Sequence, residues 1–175
     1  NAILAAVLIA AMNVAATLAA LPLVDRWGRR PLLLLSLAGM AGALALFAVT
    51  YTTAGGGGVS LVCLVAFILA FELGMGPIFW LLIAEIFRPD VKATGVGACT
   101  AVNWLANFAV GLSFPALAAS LGQGQTFWIY ALACAFGFLF VRRFVPETKA
   151  RLFPEIEAEL RARFMRARFS PSGAG

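Results

Sequence analysis

Glu72 sits inside FELGMGPIFW, residues 71–80, a stretch otherwise apolar enough to cross a membrane. A carboxylate at membrane depth costs a few kcal/mol even on the most lenient insertion scale, so it needs a partner or a wet cavity. Pro77 lacks an N–H, and the carbonyl of Leu73 therefore loses its helical partner beside that carboxylate. Gly74 and Gly76 add flexibility and room for close helix approach. At about 100° per residue, Glu72, Gly76 and Trp80 fall on one arc of a helix and would face one interior. A proline kink in a structural bundle, with Trp80 as packing, is the alternative use of the same residues.

A second set of polar groups lies in NWLAN, 103–107, where Asn103 and Asn107 are one helical turn apart and Trp104 adjoins them. Asn13 stands in the middle of the first apolar stretch. Carboxamides exposed to lipid are expensive, so these faces should look into a bundle, where they either hydrogen-bond neighbouring helices or contact a ligand. Amides that both donate and accept, set beside flat indole faces, suit a neutral polyol such as a sugar. The chain has no His, and no Ser/His/Asp set, metal cluster or phosphate loop competes with that chemistry. An enzyme, a metal site and a cofactor are therefore not expected. Gly55–Gly58 lacks the Lys and Ser/Thr of a phosphate loop and reads as a linker.

The elements that must position these groups are apolar helices. The 175 residues are 62% hydrophobic, with a mean hydropathy of +0.94; ordinary soluble domains have roughly 45–50% apolar residues. Apolar segments cover residues 1–24, 31–50, 60–85, 93–118 and 124–141, each near the roughly 20 residues that a membrane-spanning helix needs. None shows the short alternating pattern of a barrel strand. Cys63, Cys99 and Cys134 lie inside these segments without paired spacing and read as small packing residues.

The net charge of +5 could suggest nucleic acid, but its distribution does not. Lys and Arg gather at Arg26, Arg29 and Arg30, at Arg88 and Lys92, and from Arg142 to Arg168, while the connections near 52–58 and 120–125 carry none. Patches at alternate helix ends mark the cytoplasmic side. The first residue then falls outside, with neither an initiating Met nor a signal peptide, which reads as the C-terminal piece of a longer protein. Asp25, Arg29 and Arg30 at one inner helix end, and Glu85 and Lys92 at another, could latch the two ends together; setting topology alone is the other role open to the cations. Residues 1–145 form a partial transmembrane domain on this reading, and 146–175 a cytoplasmic tail. In the tail, Leu152, Phe153, Ile156, Leu160 and Phe164 recur at helical spacing, an amphipathic pattern suited to acidic lipid or to packing beneath the bundle.

The chain resembles the sugar porter family of the major facilitator superfamily over nearly its whole length. The marks are NVAATLAALPLVDRWGRRPLLLLSLAGM from residue 13, FELGMGPIFWLLIAEIF from 71, NWLANF from 103 and PETKARLFPEIE from 146. The resemblance implies an all-α membrane protein whose five spans match helices eight to twelve of a twelve-helix transporter, followed by an amphipathic cytoplasmic C-terminal helix. By it, Asn13, Trp80, Asn103 and Trp104 match the sugar site. Phe71, Glu72, Gly76 and Pro77 match the broken, gating tenth helix. Asp25, Arg29, Arg30, Glu85, Lys92 and Glu147 match a cytoplasmic charge network.

The function implied is sugar transport, with hexose as the expected substrate, by alternating access in the plasma membrane, as a facilitator or a proton symporter. The partners are then the sugar, protons in the symport case, the lipid bilayer and an N-terminal half of the same transporter. The chain alone is expected not to transport, because alternation needs two halves around a midplane site. A transporter-like sugar sensor and a nonfunctional partial bundle are the other readings. Three residues depart from the family pattern: Phe79 replaces a second proline in GPIFW, Lys92 stands where arginine is usual, and Ala150 replaces the glycine after PETK.

Overall fold

The computed structural model describes residues 2–54, 58–151 and 153–169. These form seven helices: α1 (Ala2–Trp27), α2 (Arg29–Ala54), α3 (Gly58–Leu73), α4 (Met75–Ile86), α5 (Lys92–Leu121), α6 (Gln123–Phe144) and α7 (Phe153–Phe169). Among the described residues, four spans are long and apolar enough to cross a membrane: Arg29–Thr53, Gly58–Ile86, Lys92–Leu121 and Gln123–Phe144. The second is α3 and α4 taken together. The 26 residues of α1 form a further long helix, joined to α2 through the single residue Gly28.

The connections are shorter than the sequence suggests. DRWGRR, which separates the apolar segments 1–24 and 31–50, is helical except at Gly28, whose φ of +93° admits the reversal without the Cβ penalty of other residues. Gly122, with φ +86°, does the same between α5 and α6. Three residues of the Gly55–Gly58 linker, 55–57, lie outside the described residues, as do Leu152 and 170–175, and Gly58 already begins α3.

Helices in lipid gain little from the hydrophobic effect and associate by close packing of small residues and by interhelical hydrogen bonds. The most extensive pairing, α2 with α6, follows that rule. Gly124 sits so close to α2 that a Cβ there would approach the Thr52 Cγ2 to 2.5 Å. Farther along, Gly137 leaves room for Leu37. Phe47 and Tyr51 of α2, Phe114 of α5, and Phe127 and Tyr130 of α6 form an aromatic cluster toward one end of the bundle. Toward the basic end, Val24, Leu32, Leu33, Leu37, Ile78 and Val141 form the buried core shared by α1, α2, α4 and α6. By contrast, α5 has no buried residue among those described.

Candidate functional site

The break in the span at 58–86 falls at Gly74, three residues before Pro77. Pro77 cannot return a hydrogen bond to Leu73, and the chain accommodates the loss by ending α3 at Leu73 and starting α4 at Met75. Gly74 donates to the Phe71 carbonyl at 3.2 Å, a tightened last turn, and accepts from Ile78 at 2.9 Å. A Cβ at Gly74 would lie 2.5 Å from the Leu32 carbonyl oxygen and 2.6 Å from the Ser36 Cβ, so the break is pressed directly onto α2. There Ser36 accepts the Met75 N–H at 3.1 Å, satisfying one of the donors that a new helix start leaves open.

Glu72 finds its partner on α1. The Thr17 hydroxyl donates to the Glu72 Oε2 at 2.6 Å and lies 2.9 Å from the Asn13 carbonyl oxygen, so α1 is joined to the turn just above the break. Glu72 folds over Gly76, where a Cβ would be 3.2 Å from the same carboxylate oxygen and 3.3 Å from the Phe71 ring. The Asn13 Oδ1 is buried without a hydrogen-bond partner among the described residues. An orphaned amide oxygen in such a place costs about 1–3 kcal/mol unless a ligand or water reaches it.

The aromatic and amide residues form a second cluster, between α4 and α5. Phe79 meets Trp80 edge-on, with ring centroids 5.1 Å apart, and lines a cleft of about 420 Å³ with Cys99, Val102 and Asn103. Trp80 is 45% exposed and Trp104 66%. Asn107 donates to the Asn103 carbonyl at 2.8 Å, one turn of self-bonding within α5. The structure thus sets Asn13 beside the Thr17–Glu72 pair, and Asn103 in a cleft with Phe79, whose ring Trp80 meets, while Trp104 projects from the exposed face of α5. With Phe79 in it, α4 runs unbroken from Met75 to Ile86.

A polar network holds the basic end. Arg29 donates to Glu85 at 3.0 Å, and Thr148 donates to the other oxygen of the same carboxylate at 2.5 Å. Glu147 accepts the backbone N–H groups of Arg29, Arg30 and Lys149 at 2.9, 3.1 and 3.0 Å. A carboxylate on the open N–H groups at the start of α2 also meets the positive end of that helix's dipole. Lys149 donates to the Arg26 carbonyl at 2.6 Å, closing the C-terminus of α1, and Arg30 donates to the Arg142 carbonyl at 2.7 Å. The four residues Pro146–Lys149 therefore staple α1, α2 and α4 together just beyond the end of α6.

Of the six residues expected in this network, Arg29, Arg30, Glu85 and Glu147 are brought together. Asp25 and Lys92 are exposed and make no ion pair among the described residues. Thr17, Ser36, Thr148 and Lys149 belong to the site although sequence reasoning did not single them out. Only Thr148 and Lys149 had a signal, since they complete the PETK motif.

Comparison with known proteins gives one family throughout. The model of the sugar (and other) transporter family matches residues 1–160. A facilitated trehalose transporter from Bombyx mori is 36% identical over 172 residues, covering 94% of this chain and 34% of its own length. A D-xylose-proton symporter from Escherichia coli is 32% identical over 163 residues, covering 90% of this chain and 33% of its own length. Among solved structures, the proton:xylose symporter XylE bound to 6-bromo-6-deoxy-D-glucose superposes with a TM-score of 0.82 at 32% identity, over 91% of this chain and 35% of XylE. The inward-open conformation of XylE from E. coli superposes with a TM-score of 0.79 at 32% identity, over 87% and 34%. The chain spans about a third of the length of the curated relatives it matches.

Proposed function

The chain belongs to the sugar transporter family, as a multi-pass integral membrane protein, and on that footing we propose that it is the C-terminal part of a transporter that moves a sugar by alternating access. The observation that carries the reading is the Asn13 amide oxygen, buried without a partner among the described residues, one helical turn from the Thr17 whose hydroxyl holds Glu72 at the break of a membrane span. A buried hydrogen-bonding group left open beside a hinge is suited to a ligand that arrives and leaves. Among the names of the relatives, trehalose, xylose and glucose recur, which supports a sugar as that ligand.

In this account Asn13, Asn103, Trp80 and Trp104 contact the sugar, the amides bonding hydroxyls and the indoles covering the apolar ring faces. Hexose is the substrate we assign. Phe71, Glu72, Gly76 and Pro77 form the hinge, with Ser36 as its seat. Arg29, Arg30, Glu85 and Glu147 hold the basic end shut, on the cytoplasmic side of the plasma membrane, and Asp25 and Lys92 join them when a further set of helices docks. That further half covers the exposed face of α5 and supplies the other wall of the cavity. The driving force is either the sugar gradient alone or a proton gradient.

The test is uptake of radiolabelled D-glucose by transport-deficient cells expressing the intact protein. Saturable, stereoselective uptake that excess D-glucose competes away and L-glucose does not is the expected result. Absence of uptake for glucose, xylose and trehalose alike, with the protein at the cell surface, would overturn it.

A further inference from the structure

The sequence offers several basic stretches, and in the tail part of their charge is met by carboxylates. Arg151 and Arg163 both bond Glu159, and Arg161 bonds Glu157, so these arginines of the tail are compensated within or beside α7. Arg142 and Arg143, at the end of α6, are exposed and make no ion pair among the described residues. Their backbone carbonyls are engaged, by Arg30 and Arg163. Glu159, which lines a cleft with Arg143, is occupied by two other guanidiniums.

The two arginines stand at the head of an apolar groove of about 590 Å³, lined by Phe136, Leu139, Phe140 and Phe144. Leu132, Phe136, Leu139 and Phe140 follow one another at helical spacing and are 66, 72, 60 and 48% exposed, and the same face of α6 runs on to Arg143. Phe140 and Phe144 pack with ring centroids 5.1 Å apart, walling one side of the groove. An apolar channel along a membrane span that ends under two uncompensated cations matches one kind of molecule: an amphiphile with an acyl chain and an anionic head.

We propose that this groove is a binding site for an anionic phospholipid, whose phosphate is held by Arg142 and Arg143 and whose acyl chain lies along Phe136, Leu139 and Phe140. Arg143 also lines a separate cleft with Glu159, Ala162 and Arg163 of α7, so an occupied site lies next to α7. The inference stands apart from the sugar reading, since none of these residues belongs to the candidate cavity.

Native mass spectrometry of the intact protein, titrated with dioleoyl phosphatidylglycerol or dioleoyl phosphatidylcholine, tests it. A tight phosphatidylglycerol adduct is expected, with phosphatidylcholine far weaker. At roughly fivefold per arginine near a membrane surface, Arg142→Gln with Arg143→Gln should weaken the adduct by roughly thirtyfold. Each single variant should give roughly fivefold, which keeps the test open if the double variant does not fold. Arg161→Gln, at the compensated pair on α7, should leave binding unchanged. Phosphatidylglycerol binding that survives both substitutions would overturn the proposal, showing that the lipid is held elsewhere. Displacement of the lipid by millimolar inorganic phosphate would also overturn it, because the free anion would then be the ligand.

Discussion

The Thr17 hydroxyl donates to the Glu72 carboxylate across 2.6 Å, tying α1 to the last turn of α3 immediately before the span breaks. A single hydroxyl thus supplies the partner that a carboxylate at membrane depth requires. It also places the break between two supports, Thr17 on α1 above it and Ser36 on α2 behind it.

Thr17→Val keeps the shape of the side chain and deletes the donor. The loss should destabilise the detergent-solubilised intact protein by about 1–3 kcal/mol, read as a lower unfolding temperature. Thr17→Ser should restore most of it. Glu72→Gln should cost much less than Thr17→Val, because the amide oxygen still accepts. Equal unfolding temperatures for Thr17→Val and the parent would remove this contact from the account.

The seat of the break gives a second expectation. Gly74→Ala forces a Cβ onto the Leu32 carbonyl and should cost about 1–3 kcal/mol by overpacking. Ser36→Ala leaves the Met75 N–H open and should cost about as much. The two sites touch, so the double variant should be non-additive by about 0.5 kcal/mol or more. Additive losses in thermal-shift measurements would mean that the two contacts act independently.

At the basic end, Glu147 satisfies three backbone donors, whereas Glu85 bonds two side chains. Glu147→Ala should therefore destabilise more than Glu147→Gln, which keeps one acceptor. An Arg29→Gln, Glu85→Gln cycle should show coupling of about 0.5–3 kcal/mol, since both side chains are largely shielded from water. A coupling energy within error of zero would reduce the pair to a surface contact.

The tail carries a pH expectation. Burial pushes the Glu159 carboxyl up, but Arg163 and Arg151 outweigh it and hold the group below its ordinary value of 4.5. A carboxylate lowered in the folded state contributes stability above its unfolded value and loses it as pH falls through the folded one. Proteolytic release of α7 should thus be flat from pH 7 to 5 and rise only below 4.5. Glu159→Gln should flatten that acid limb, and an unchanged limb would assign it to another carboxylate.

Much of the scaffold was legible because it rests on composition and on single-residue stereochemistry. Apolar length marked the spans, and a proline followed by no compensating donor marked the broken one. PETK announced itself as a motif, although only the coordinates show Glu147 capping α2 and Lys149 closing α1. Thr17 and Ser36 could not be read in advance. A hydroxyl in an apolar helix ordinarily bonds back to its own preceding turn, as Thr50 does to Leu46, and nothing local distinguishes one that, like Thr17, also reaches another helix. Asp25 and Lys92 show the converse: their charges suit a network, but both side chains are exposed, Asp25 at the same helix end that Lys149 closes.

The central claim is that Trp80 and Asn103 belong to a sugar cavity. The most direct measurement is the concentration dependence of D-glucose uptake by the intact protein carrying Trp80→Leu or Asn103→Ala. Loss of one hydrogen bond or one stacking face should raise the half-saturating concentration by roughly tenfold in each, with surface expression unchanged. Parental half-saturation in both variants would contradict the assignment.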